Sequence, residues 1–403
     1  MNAYLDHAAT TPLLDCAREA MVGALGHTGN ASSLHAAGRA SRRRTEESRE
    51  AIADALGVSP HAVIFTAGGT EADNLAVKGI WWARTARDPS RRRILTTRIE
   101  HHAVLDAVHW LGEHEGAEVV WLEVDASGRV DVEQLRTELE AQPGSTALVA
   151  VMWANNEVGT VQPIAQIADA CKQAGVPLHV DAVQAVGSIP VDAALPDSMA
   201  FSAHKLGGPL GVGALIARRR LDLAPLTHGG GQERQVRSGT VDVPSIVGFA
   251  AAVEHMLAGI EDRARRTAAL RDSLLAGIQA VAPEAIVNGA VGGVDARVPG
   301  NAHLSFPGCE NDALMMLLDS AGVEASTGSA CSAGVPEPSH VLLAMGIDPA
   351  QARSSLRFSL GHTSTPADVE ALLAALPTAL DRAGRAGQVR AGGQLAAAGR
   401  TGS

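Results

Sequence analysis

Closely spaced cysteines are missing. Cys16, Cys171, Cys309 and Cys331 lie far apart with no C-x-x-C pair, which argues against a zinc site and a disulfide framework, so no metal is expected. A basic excess is missing as well: Lys and Arg total 33 against 44 Asp and Glu, a formal charge of -11. Phosphate neutralisation needs a net basic face, so a dedicated nucleic-acid binder is disfavoured. The arginine runs at 42–44, 91–93 and 218–220 read as solvated helix faces and strand ends. No apolar run is long enough to span a bilayer, and Met1 to Asp6 is not a basic stretch leading into an apolar one. A cytoplasmic protein without a membrane span is the expectation. Neither Walker nor dinucleotide glycine spacing occurs, which counts against a generic nucleotide-binding protein.

Hydrophobic residues make up 46% of the 403 and charged residues 19%, the balance of a globular chain too long for one ordinary domain core. From about Ala62 to Ile216, short β-branched runs at 62–66, 93–96, 118–121, 147–151, 177–180 and 213–216 alternate with helical patterns. Such alternation predicts an α/β fold with a mostly parallel sheet covered on both faces. The alanine-rich stretch 246–282 reads as one long helix, and 301–306 and 354–359 as strands of a smaller α+β domain. The expected division is a large domain over 16–250 and a small one over 1–15 and 251–383. Residues 384–403 have little to bury and read as a disordered tail.

Open parallel sheets bind ligands outside the carboxyl ends of their strands, so the turns that follow the strands carry the interest. The first is Ala67-Gly68-Gly69-Thr70-Glu71, a glycine-rich turn opening a helix. Its N–H groups would face an anion and its glycines admit a phosphate; a strand-to-helix turn without ligand reads equally well. The second begins at Asp181, with Gln184 one turn further on. Asp181 is either a helix cap or the partner of a protonated ring nitrogen, and spacing favours neither. The third is Ser202-Ala203-His204-Lys205-Leu206-Gly207-Gly208. A lysine hemmed in by small residues makes sense as an imine-forming amine, because burial lowers its pKa and the glycines leave room for a flat ring. An anion cup, a carboxylate and a lysine on one sheet edge match the needs of pyridoxal phosphate.

In the same order the chain carries Tyr4-Leu5-Asp6-His7-Ala8-Ala9-Thr10-Thr11-Pro12, Gly29-Asn30-Ala31-Ser32-Ser33-Leu34-His35, Glu100-His101-His102-Ala103, Asn155-Asn156-Glu157-Val158-Gly159 and Arg237-Ser238-Gly239-Thr240. With the three turns, these segments resemble the cysteine desulfurases of the aminotransferase-type, class V pyridoxal-phosphate fold, from about Tyr4 to about Thr365. The resemblance implies that Lys205 bonds the cofactor aldehyde and Asp181 the ring nitrogen. It implies that His101 stacks on the ring and assists proton transfer, and that Asn156 and Gln184 bond the O3′ side. Gly69, Thr70, Ser202 and His204 would hold the phosphate, with Thr240 arriving from the other subunit of a homodimer. Arg357 would clamp the substrate carboxylate, together with Asn156, although Arg353 is close by. Gly69 stands where many relatives carry Ala, and 387–403 does not resemble the C-terminal segment of relatives that dock an iron–sulfur scaffold.

Cys331 lies in Thr327-Gly328-Ser329-Ala330-Cys331-Ser332-Ala333-Gly334, small residues with no helical or strand period, the setting of an accessible thiolate. Cys171 shares helical spacing with Ile164, Ile167 and Ala168 and reads as core; Cys16 and Cys309 also read as structural. The family's reaction would convert L-cysteine to L-alanine and leave sulfur as a persulfide on Cys331. The acceptor would be an iron–sulfur scaffold or a tRNA-thiolating enzyme. Same-fold rivals are a selenocysteine lyase and a small-amino-acid aminotransferase; the latter needs no nucleophilic thiol. A non-catalytic assembly scaffold would have no need of Lys205, Asp181, His101 and Cys331 together.

Overall fold

The computed structural model describes the backbone of residues 2–328 and 338–398, with side chains as far as 385. In chain order, β1 (Ala3–Tyr4), α1 (Asp15–Leu25) and α2 (Ala36–Leu56) precede the main sheet. Strands and helices then alternate: β2 (Val63–Thr66), α3 (Gly69–Arg87), β3 (Arg93–Thr97), α4 (His102–Glu115), β4 (Glu118–Leu122), α5 (Val132–Ala141), β5 (Thr146–Met152), α6 (Ile164–Ala174) and β6 (Leu178–Asp181). β7 (Ser198–Ser202) and β8 (Gly213–Ala217) complete the sheet, whose order is β2-β8-β7-β6-β5-β3-β4.

Neighbours from β4 to β7 run parallel, as the alternation predicts. β8 is antiparallel to both β7 and β2. The reason lies in the link: residues 203–212 are too few for a crossover helix, so the chain returns directly. All seven residues of β5 are buried, because helices cover both faces. Successive residues serve opposite cores: Val149 and Val151 pack with Phe201 on one face, Leu148 and Ala150 with Ala200 on the other.

The stretch 246–282 is two helices, α7 (Val243–Leu257) and α8 (Ile260–Val281), bent by 75°. Gly259 sits between them at φ 65, a left-handed conformation that stops one helix and re-aims the next. No single helix among the described residues is long and apolar enough to cross a membrane. Beyond it, β9 (Ile286–Val287), β10 (Asn301–Ser305), α9 (Asn311–Ser320), β11 (Val323–Glu324), α10 (His340–Ala344), α11 (Pro349–Ala352), β12 (Ser355–Ser359) and α12 (Pro366–Ala398) follow. β10 is paired antiparallel with β9 and β12, while β1 runs parallel to β11. A second core forms there from Leu274, Leu304, Leu356, Phe358, Leu372 and Leu376, joined by Ala3 and Leu5 from the chain's start.

α12 runs on to Ala398, into the stretch that composition marks as a tail. Cys171 is buried in α6 with Ile164 and Ile167, and burial pushes its thiol well up, which keeps it inert. Cys16 and Cys309 are half-buried.

Candidate active site

The carboxyl ends of β2, β6 and β7 bring their turns to one cleft of about 420 Å³, which Gly69, Thr70, His101, Asn156, Asp181, Gln184, Ser202, His204, Lys205 and Arg357 all line. α3 starts at this cleft with Gly68 as a cap that offers no side chain, so its first N–H groups are left to a ligand. A Cβ on Gly69 would come within 2.7 Å of the Val183 methyl, so Gly lets the turn lie close to the Asp181 turn. Residues 183–188 form turns and not a helix, so Asp181 is no helix cap: its Oδ1 accepts from the Val183 N–H at 2.9 Å within the turn, and the residue lines the cleft.

Lys205 Nζ donates to the carbonyls of Ala8 and Ala9 at 2.5 and 2.8 Å, and Gln184 Nε2 donates to Ala8 O at 2.9 Å. Burial, and then the Arg357 charge, lowers the amine from 10.5 to about 8. Burial raises the Asp181 carboxyl above the usual range, against the pull of His101 and Lys205. His101 opens to the cleft and caps α4, its Nδ1 accepting from the Ala103 N–H at 3.1 Å. The neutral ring therefore carries its proton on Nε2. Desolvation by the surrounding atoms lowers its pKa. His204 is pushed to about 4 by burial and then by Lys205, and its Nδ1 bonds Thr10 Oγ1 at 3.1 Å.

Arg357 is buried on β12, with Nη1 donating to Asn156 O and Nη2 to Asp6 Oδ1, both at 2.8 Å. Its Nε and the Asn156 Oδ1 are buried without partners, a donor and an acceptor left for a bound polar group. Arg353 is exposed and lies outside the cleft lining. Thr240 is exposed and also outside it. Cys331 lies outside the described residues, but Gly328, three positions earlier, lines the cleft.

Sequence reasoning missed a set of buried groups around the cleft. Asp6 pairs with Arg357 across 351 positions. Asp73 meets His179 Nε2 at 3.1 Å, and burial drives the acid well up and the imidazole to about 3, so the contact is a hydrogen bond between uncharged groups. Glu100 is fully buried, bonded by the Thr97 hydroxyl at 2.7 Å, and raised to about 8 by burial. Glu157 accepts from the Ser339 hydroxyl, and His340 Nε2 lies 3.0 Å from Glu100 O. Only tertiary packing reveals these; the shared signal was position, since Glu100 and Glu157 sit beside His101 and Asn156.

The family described as Aminotransferase class-V matches residues 3–372. An IscS-like cysteine desulfurase of Mycobacterium tuberculosis is 57% identical over 392 residues, 97% of this chain and 99% of that protein. A cysteine desulfurase IscS of Methanosarcina thermophila is 41% identical, covering 93% of this chain and 91% of its own length. Among solved structures, a NifS-like protein superimposes with TM-score 0.86 at 35% identity, covering 94% of this chain and all of that one.

Proposed function

The chain belongs to the cysteine desulfurases of the class-V aminotransferase family, pyridoxal-phosphate enzymes, and on that premise we propose that Lys205, Asp181, His101 and Arg357 carry the chemistry and Cys331 receives the sulfur. The observation that supports this best is the convergence of Lys205, Asp181, His101, Arg357 and the uncapped start of α3 on one cleft that Gly328 also lines.

The cleft fits the cofactor. The α3 start, Thr70, Ser202 and His204 would hold its phosphate, Asp181 its ring nitrogen, Asn156 and Gln184 its O3′ side, and Lys205 its aldehyde. When bound, pyridoxal phosphate supplies an electron sink for charge released at the substrate's α-carbon. Asp181 is fixed by the Val183 N–H, so its charge stays aimed at one point. An amine near 8 is partly neutral at physiological pH, which lets Lys205 act as nucleophile and as base for the Cα proton. His101 offers an Nε2–H donor, because its Nδ1 is committed to the helix cap. Asp6 and the Asn156 carbonyl hold the Arg357 fork in place for the substrate carboxylate. In sequence Cys331 follows Gly328, which lines the cleft, by three positions. Its thiolate attacks the substrate sulfur: an S–S bond forms, the C–S bond breaks with its electron pair staying on carbon, and the carbon fragment leaves as alanine after taking up one proton at Cβ and regaining one at Cα.

Sulfur then passes to an acceptor, for which we propose an iron–sulfur scaffold or a tRNA-thiolating enzyme in the cytoplasm. The same reading takes a homodimer in which Thr240 serves the opposite cleft; its exposure and distance from its own cleft support that. It keeps 16–250 as the cofactor-binding domain and 1–15 with 251–383 as the smaller one.

Replacing Cys331 with Ser tests the assignment, since the cofactor residues are untouched while the nucleophile is gone. Cysteine should still perturb the cofactor absorbance, with neither alanine nor protein persulfide produced. Alanine released at the parental rate would instead make this a lyase.

A further inference from the structure

Lys205, Gln184 and Ala8 line two cavities at once. One is the cleft; the other is a smaller space of about 70 Å³ on their far side, reached by His7, Thr11, Asn301 and His362. Since about 10–15 Å³ of such space admits a water, it has room for more than one. Its wall mixes apolar residues such as Met256, Val298 and Leu360 with polar ones such as Thr11, Asn301 and His362. Asn301 is 4% exposed and donates to Glu157 O, but its Oδ1 is buried and has no partner. A bare amide oxygen and several hydroxyl and imidazole groups supply the partners that a buried water needs.

From this cavity a chain of exchangeable groups leads outward. Thr11 Oγ1 lies 2.5 Å from His7 Nδ1 and 3.2 Å from His362 Nδ1. His7 Nε2 lies 3.3 Å from Ser364 Oγ and 3.4 Å from Thr363 Oγ1, and Thr363 is exposed. Burial, then His362, pushes His7 down to about 4, with Asp368 pulling the other way. His362 is lowered by burial, then by Arg263, His255 and Arg266. Both rings are thus uncharged near neutral pH, and a neutral imidazole accepts a proton at one nitrogen while giving one from the other.

We infer that water in this cavity joins Lys205 to Thr11, His7 and His362, forming a proton route behind the active site and separate from the substrate's entrance. This rests on the reading of Lys205 as the base. In that step the Cα–H bond breaks, its electron pair stays with the substrate, and the proton goes to the Lys205 amine. The route lets that proton leave for solvent and another return, with no net change in protons. Substrate and sulfur carrier occupy the front meanwhile, so exchange needs a second path.

The test uses α-deuterated cysteine in ordinary water and reads, by NMR, the fraction of deuterium kept at Cα of the product alanine. The parental holoenzyme should lose most of it. Thr11→Val and His362→Phe should each retain about tenfold more, the scale expected when one proton-transfer partner is removed. A purely structural defect slows turnover and so allows more washout, which moves the fraction the other way. Retention unchanged or lowered in both variants overturns the inference. A high-resolution crystal structure of the parental, cofactor-free chain gives an independent reading: water on Asn301 Oδ1 and Thr11 Oγ1 is expected, and a dry cavity overturns the route. Failure of the function itself would show differently, as alanine production by Lys205→Ala.

Discussion

Replacing Glu100 with Gln should make the protein's stability less sensitive to pH. Glu100 is fully buried, with one oxygen bonded by Thr97 and Oε2 without a partner. No cation is paired with it among the described residues. Burial, and then the nearby Asp181 charge, raises it from 4.5 to about 8, against the pull of the Thr97 hydroxyl. The folded protein therefore holds a proton at neutral pH that the unfolded chain has released. The sign follows: this raised group contributes stability fully below about 4.5, and that contribution is lost as pH rises through about 8. At 1.36 kcal/mol per pKa unit, the gap amounts to about 5 kcal/mol as an upper bound. Gln cannot ionise, so Glu100→Gln lacks this slope, while other buried acids such as Asp73 act alike in both proteins. Melting temperatures from pH 5 to 9 are the assay, and the variant's advantage should grow up to about pH 8 and level off above it. Two melting curves that stay parallel throughout would refute the reasoning, because Glu100 would then already be ionised in the folded state.

Lys205→Ala should remove the borohydride-reducible cofactor adduct, because no second amine lines the cleft among the described residues; mass spectrometry of a reduced adduct on another lysine would contradict this. Glu233→Gln should destabilise by about 3 kcal/mol in urea unfolding, since it removes the buried carboxylate paired with the Arg49 guanidinium at 2.7 Å and leaves only the more exposed Glu46 beside it. A change under about 0.5 kcal/mol, the scale of an exposed pair, would show that water reaches Arg49.

The parts of the site that could be read in the sequence are those carried by local turns. Gly68, Gly69 and Asp181 follow β-branched runs and Lys205 follows the apolar Met199-Ala200-Phe201, and a parallel sheet sends such turns to one edge whatever else the chain does. What sequence could not show depends on contacts far along the chain. Whether Asp181 caps a helix needed the β6 turn in place, and there it bonds a turn N–H, with no helix to cap, and lines the cleft. The Asp6–Arg357 pair and the burial of Glu100 arise only when distant segments meet. The break at Gly259 was missed because a lone glycine in an alanine-rich stretch is compatible with either a continuous or a broken helix.

Segments far apart along the chain meet behind the cleft. Ala8 and Ala9 hold the Lys205 amine, Asp6 holds Arg357, His7 N–H donates to Ser359 O, and β1 pairs with β11. The large sheet, from β2 to β8, uses none of these pairings. A fragment that lacked β11 and β12 could therefore fold its sheet and still leave the 3–9 segment without the strands that press it against Lys205.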